Sequence, residues 1–138
     1  MRRTVVVLLL FAAACDQPRP YADLPEKNLS VRTVVTNGRV ELDMHSLDRS
    51  CDDHYEGFVA LDRPVVGVGL PMGKRALLVF SFHSSDTPIK KEIQILPREG
   101  SRYEVRVSYK DSIYDIEVRE IDPRTGAERE IDTLRRCS

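Results

Sequence analysis

Two stretches of this chain alternate apolar and polar residues so regularly that they constrain strand pairing before anything else is read. Tyr103, Val105, Val107 and Tyr109 alternate with Glu104, Arg106, Ser108 and Lys110. Beyond Asp111-Ser112, Tyr114, Ile116 and Val118 alternate with Asp115, Glu117 and Arg119. A period of two marks a half-buried strand, because successive side chains point to opposite faces. A two-residue loop at Asp111-Ser112 sets Tyr109 against Tyr114, Val107 against Ile116 and Val105 against Val118. The same register sets Arg106 against Glu117 and Glu104 against Arg119. Opposite charges across a strand pair add some tenths of a kcal/mol each. One register therefore sorts both the core face and the charges.

The second such stretch surrounds Asn37-Gly38, the favoured dipeptide for a type I′ two-residue loop. A hairpin there pairs Val35 with Val40, Thr33 with Leu42 and Val31 with Met44 on one face. The other face pairs Arg32 with Asp43, Val34 with Glu41 and Thr36 with Arg39. Further strands are expected at Gly57 to Leu61, Val65 to Leu70, Ala76 to Phe82, Glu92 to Leu96 and Ala127 to Ile131. Gly67 and Gly69 suggest a bulge or a close backbone approach. The run from Ala76 to Phe82 is almost continuously apolar, as in a strand buried on both faces. No segment carries a useful helical period. Seven to nine short strands separated by turn signals predict an all-β, antiparallel sandwich of immunoglobulin-like or transthyretin-like type.

The first fifteen residues read as an address. Arg2 and Arg3 precede an apolar run from Val5 to Phe11, then Ala12, Ala13, Ala14 and Cys15. A basic start, a short apolar run and small residues before a cleavage point make a secretory signal. The run is too short to span a bilayer, which takes about 20 apolar residues. Ala12-x-Ala14 fits an ordinary signal-peptidase site. Leu10 to Cys15 also resembles a bacterial lipobox, with Ala12 where leucine is commonest. That resemblance covers only residues 1–15. It implies a lipoprotein precursor cleaved after residue 14, with Cys15 carrying acyl chains such as palmitate. Asp16 then resembles the signal that retains lipoproteins in the inner membrane. The expected localisation is the bacterial cell envelope, facing the periplasm.

The expected organisation is a signal peptide over residues 1–14, a lipidated cysteine and tether over 15–28, and one domain over 29–138. Pro18, Pro20 and Pro25 among polar residues favour an extended, semi-rigid tether. The chain has three cysteines. With Cys15 lipidated, Cys51 and Cys137 remain as an even pair in an oxidising compartment, where disulfides persist. Without residues 1–14 the chain has 19 basic and 22 acidic residues. That balance disfavours a nucleic-acid partner, which selects a basic face.

Chemistry-bearing residues cluster between Asp43 and His54. His45, Asp52, Asp53 and His54 are weak candidates for a metal, since imidazole and carboxylate suit divalent ions. Their spacing matches no metal motif, and a polar loop around a bridged Cys51 accounts for them. Gly67 to Arg75 lacks the spacing and the hydroxyl of a P-loop. His83-Ser84-Ser85-Asp86 holds triad residue types, but neighbours in one loop rarely converge. Tyr103, Tyr109 and Tyr114 suit either a core rim or a sugar platform. Nothing in these patterns calls for a cofactor or a catalytic role. The leading expectation is a tethered, non-catalytic module for a protein partner in the envelope. A small-ligand or carbohydrate module is the alternative, and a metal-binding or hydrolytic protein a more distant one.

Overall fold

The computed structural model describes residues 18–84 and 87–132. Nine strands follow one another along the chain. They are β1 (Leu29–Val35), β2 (Arg39–Leu47), β3 (Asp53–Val59), β4 (Val65–Val68), β5 (Arg75–His83), β6 (Ile89–Ile95), β7 (Arg102–Lys110), β8 (Ile113–Ile121) and β9 (Glu128–Glu130). They form two sheets, one of order β4-β1-β7-β8-β9 and one of order β3-β2-β5-β6. The sheets pack face to face as a β-sandwich around one main core. Every pair is antiparallel except β1 with β7.

The β7–β8 hairpin has the register its alternation predicts. Tyr109 faces Tyr114, Val107 faces Ile116, Val105 faces Val118, Arg106 faces Glu117 and Glu104 faces Arg119. Asp111 and Ser112 take φ of 51° and 64°. Two left-handed central residues are what a type I′ turn requires. The ion pairs, however, run along the strands: Arg106 pairs with Glu104, and Arg119 with Glu117 at 2.6 Å. Arg119 also reaches Glu128 on β9 at 2.6 Å.

The hairpin expected around Asn37-Gly38 does not form. β1 lies in the five-stranded sheet, parallel to β7, with Val31 beside Val105, Thr33 beside Val107 and Val35 beside Tyr109. β2 lies in the four-stranded sheet between β3 and β5. The chain therefore arches from one sheet to the other. Asn37 is left-handed at φ 57°, whereas Gly38 does not take a positive φ, so the turn is not type I′. Tyr109 closes against Gly38: a Cβ there would lie 2.5 Å from the Tyr109 ring. Thr36 N–H donates to Tyr109 C=O at 2.8 Å, holding the end of β1 to β7. Val31, Val40, Leu42 and Met44 are still core residues. They meet across the sandwich instead of side by side in one sheet.

β5 is central, between β2 and β6, and buried on both faces. Ala76, Leu78, Phe80 and Phe82 belong to the main core, while Leu77 and Val79 join Leu47 in a second cluster. Alternation along a strand separates the two sets. No helix among the described residues is long and apolar enough to cross a membrane.

Candidate functional site

The segment read as a free tether is docked from Arg19 onward. Phe58 N–H donates to Arg19 C=O and Tyr21 N–H donates to Phe58 C=O, each at 2.9 Å. Pro20 thus bridges Phe58 in parallel on the outer edge of β3. Proline suits an edge, where its missing N–H breaks no ladder. The Arg19 guanidinium donates to Tyr55 C=O at 2.8 Å. Next, Tyr21 turns inward against the core, and its hydroxyl donates to Gly69 C=O at 2.9 Å. Burial, then the Asp23 and Glu56 charges, hold its phenol above the ordinary pKa. The Asp23 carboxylate accepts from Gly69 N–H at 2.7 Å. Asn28 completes the clasp: its side chain donates to Leu70 C=O and accepts from Leu70 N–H, at 2.9 and 2.7 Å. A buried amide that satisfies both backbone groups of one residue fixes that residue closely.

β3 is shaped to receive this segment. Its register with β2 shifts between Met44 and His45, a bulge that leaves Gly57 opposite Met44. Gly57 has φ 137°, and a Cβ there would lie 2.5 Å from Tyr21 N. Beside the clasp is a hollow of about 100 Å³ lined by Tyr21, His45, Ser46, Glu56, Pro71 and Lys74, among others. The Ser46 hydroxyl donates to Glu56 Oε1 at 2.5 Å and Lys74 Nζ donates to the same oxygen at 3.1 Å. These hydrogen bonds, Ser46 first, hold the Glu56 carboxyl below its ordinary pKa. The hollow has the volume of only a few water molecules. Ser46, Glu56, Lys74 and Tyr21 carry no local motif, so no spacing rule could have gathered them.

The two candidate histidines each meet a different carboxylate, His45 that of Asp53 and His54 that of Asp48. His45 lies across from Tyr55 and Ser46 across from His54. Alternation therefore sends the two imidazoles to opposite faces. His45 packs edge-on to Tyr55 at 5.3 Å. Its Nδ1 is buried without a hydrogen-bond partner, 3.6 Å from the Asp53 carboxylate. His54 instead meets Asp48 at 3.0 Å, and that contact raises the imidazole pKa and lowers the carboxyl. Asp48 also accepts from Ser50 and Asp52 N–H, shaping the turn in which Cys51 sits at φ 70°. No three His, Cys, Asp or Glu among the described residues converge as a metal-holding group.

The other candidates are spoken for by the fold. Tyr103 and Tyr109 are buried, and Tyr114 stacks on Phe82 at 5.2 Å beneath Lys91. These tyrosines are core and rim, not an open platform. His83 pairs with Glu41 at 2.9 Å, whereas Ser85 and Asp86 lie outside the described residues. Gly67 and Gly69 meet the close approach expected of them, from Lys27 and from the Leu24–Glu26 backbone. Cys15 and Cys137 lie outside the described residues, as does the signal segment 1–14.

One polar knot had no sequence signal. Glu120, with a side chain only 11% exposed, accepts from Arg98 at 2.6 Å, Arg129 at 2.5 Å and Ser101 at 2.8 Å. Burial opposes its ionisation, but the Arg129, Ser101 and Arg98 hydrogen bonds outweigh it and bring the carboxyl to about 2. The knot ties the loop before β7 to β8 and β9, beside an open hollow of about 650 Å³. Compared with known proteins, the chain matches no family model, no curated protein and no solved structure.

Proposed function

We propose that this chain is a lipid-anchored protein of the bacterial cell envelope whose β-sandwich serves a protein partner on the periplasmic side. The observation that carries this reading is the docked clasp. From Arg19 the N-terminal segment belongs to the folded body, and Cys15 lies only four residues before it. A cleaved, acylated Cys15 would thus begin almost at the surface of the domain. The apolar run before Cys15 supplies export, and Asp16 favours retention in the inner membrane. A partner role rather than catalysis is supported by the side chains themselves. Among the described residues, His54 is engaged with Asp48, His83 with Glu41 and Ser46 with Glu56. A carbohydrate or small-ligand role has less support, because the tyrosines that would serve it are packed on Phe82 or buried.

The same reading pairs Cys51 with Cys137. Leu47, next to the Cys51 turn, is level with Arg75, and Ala76 with Ile95 on β6. Asp132 lines a hollow with Gln94 and Leu96. From β6 to β3 is three strand spacings, about 14 Å. The five residues from Asp132 to Cys137 extend about 17 Å. Those lengths support the pairing.

The deciding experiment compares the full chain with Cys15→Ser in a bacterial host, by membrane flotation and intact mass. The wild type should float with membranes and carry the mass of acyl chains, while the variant should not. Unchanged membrane association of Cys15→Ser rejects the anchor. In vivo crosslinking of the anchored protein should then yield a discrete adduct with another envelope protein; its absence under conditions that crosslink a control complex rejects the partner role.

A further inference from the structure

We propose that the clasp side of the sandwich, carrying Leu24, Tyr55, Phe58 and Met72, rests on the headgroup layer of a phospholipid bilayer. The inference deepens the lipid-anchor reading and rests on it. Four residues reach at most about 14 Å, so an acylated Cys15 holds Arg19 within that distance of the lipid. Arg19 is itself fixed to the edge of β3 by backbone hydrogen bonds to Phe58 and a side-chain bond to Tyr55. A leash shorter than the domain cannot present every face equally. The face nearest its root is the clasp side.

That face suits an interface chemically. Leu24 is 39% exposed and Met72 46%, and Tyr55 and Phe58 are among the exposed large apolar residues. Leu24 packs against Gly69, while Tyr21 and Ala22 share a hollow with Pro71 and Lys74, next to Met72. Leu24 belongs to the clasp segment, Tyr55 and Phe58 bond its backbone or Arg19, and Met72 follows Pro71 at the hollow beside it. Arg19 lies in the same segment, and Lys27 and Lys74 lie beside it, paired with Asp23 and with Glu56. Long basic side chains can bury their stems and keep their charge among headgroups, and tyrosine favours the same layer. Ile113, the most exposed large apolar residue among the described ones, is in β8, three strands from β4 in the five-stranded sheet. This arrangement turns the β7–β8 end outward, toward whatever the domain binds.

The chain has no tryptophan, so single-tryptophan variants give an unmixed signal. Phe58→Trp, Met72→Trp and Ile113→Trp are made in the acylated full chain and inserted into vesicles containing lipids brominated near the headgroup. Quenching at positions 58 and 72 should exceed that at 113 several-fold. A Gly/Ser insertion of about 20 residues between Gln17 and Pro18 lengthens the leash and should erase the difference if the leash sets the orientation. Equal quenching at all three positions in protein that floats with vesicles overturns the proposal and leaves the anchor intact. A full chain with Cys15 intact that is recovered without acyl chains and does not float removes the anchor reading and this inference with it.

Discussion

At the scale of single residues, the molecule spends its close contacts on keeping loops and the N-terminal segment against the sheets. Gly57 is the sharpest case. Its φ of 137° and the Tyr21 backbone 2.5 Å from where a Cβ would sit leave no room for a side chain. Gly57→Ala should cost about 1–3 kcal/mol, as overpacking does. Hydrogen exchange should locate the loss: the Tyr21 and Phe58 amides should become unprotected while those of β7 and β8 keep their protection. Uniform protection across the variant would mean that the clasp does not depend on Gly57. Glu120 gives a second expectation, with a defined pH window. Its folded pKa of about 2 lies below the ordinary 4.5. A depressed carboxyl contributes stability that is complete above its unfolded pKa and disappears as pH falls through the folded one. The difference in melting temperature between wild type and Glu120→Gln should therefore be constant above about pH 5 and shrink steadily toward pH 2. A difference independent of pH would remove the arginines from the account.

At the scale of elements, the β7–β8 turn is the simplest to improve. Asp111 and Ser112 both sit in the left-handed region, which costs residues other than glycine about 1–2 kcal/mol each. Replacing the pair by Asn-Gly should raise stability by about 1 kcal/mol, or roughly 4 °C in thermal melting for a domain of this size. An unchanged or lower melting temperature would show that the turn is not the strained part of the hairpin. This hairpin was fully legible in the sequence because two independent patterns, apolar face and opposite charges, agree on a single register. The arch at Asn37-Gly38 was not. Alternation reports which face of a strand is buried, and it placed Val31, Val40, Leu42 and Met44 correctly in the core. It cannot report whether two buried faces lie side by side in one sheet or opposite each other in two. β7 gives β1 apolar neighbours, Val105, Val107 and Tyr109, in place of Met44, Leu42 and Val40 from β2. Tertiary contacts from Tyr109 then decide. The clasp was illegible for a related reason. Pro18, Pro20 and Pro25 signal extended chain whether it is solvated or laid along a sheet edge. Asn28, which closes the clasp, bonds a partner 42 residues away. Long-range pairs of that kind leave no periodic trace.

At the scale of the whole molecule, what matters is which sulfur partners which. The chain has three cysteines, and chain length bounds how far Cys15 and Cys137 can stand from the described body. Cys51 sits in the β2–β3 turn. Cys137 is within about 17 Å of chain from Asp132. Cys15 is four residues from Arg19, whose neighbour Pro20 bridges Phe58 on β3, the strand that follows Cys51. On the proposed reading, an unacylated Cys15 would compete with Cys137 for Cys51, and acylation would remove the competitor. A bridge between Cys51 and Cys137 closes a loop of about 86 residues, which stabilises by about 4.5 kcal/mol in the chain-entropy account. One from Cys15 closes only about 36 residues and stabilises by about 0.8 kcal/mol less on the same account. The test uses exported protein from wild type and Cys15→Ser, alkylated without reduction and mapped by mass. Both should protect Cys51 and Cys137 equally, and reduction should lower the melting temperature of both by the same amount. Free thiols at Cys51 and Cys137 reject the bridge. In a chain exported with acylation blocked but Cys15 present, a mixture of Cys51 pairings should appear, with Cys137 alkylated in the mispaired fraction. A single Cys51–Cys137 product under that block would mean that the fold selects the pair unaided, and that the lipid serves only to hold the domain at the membrane.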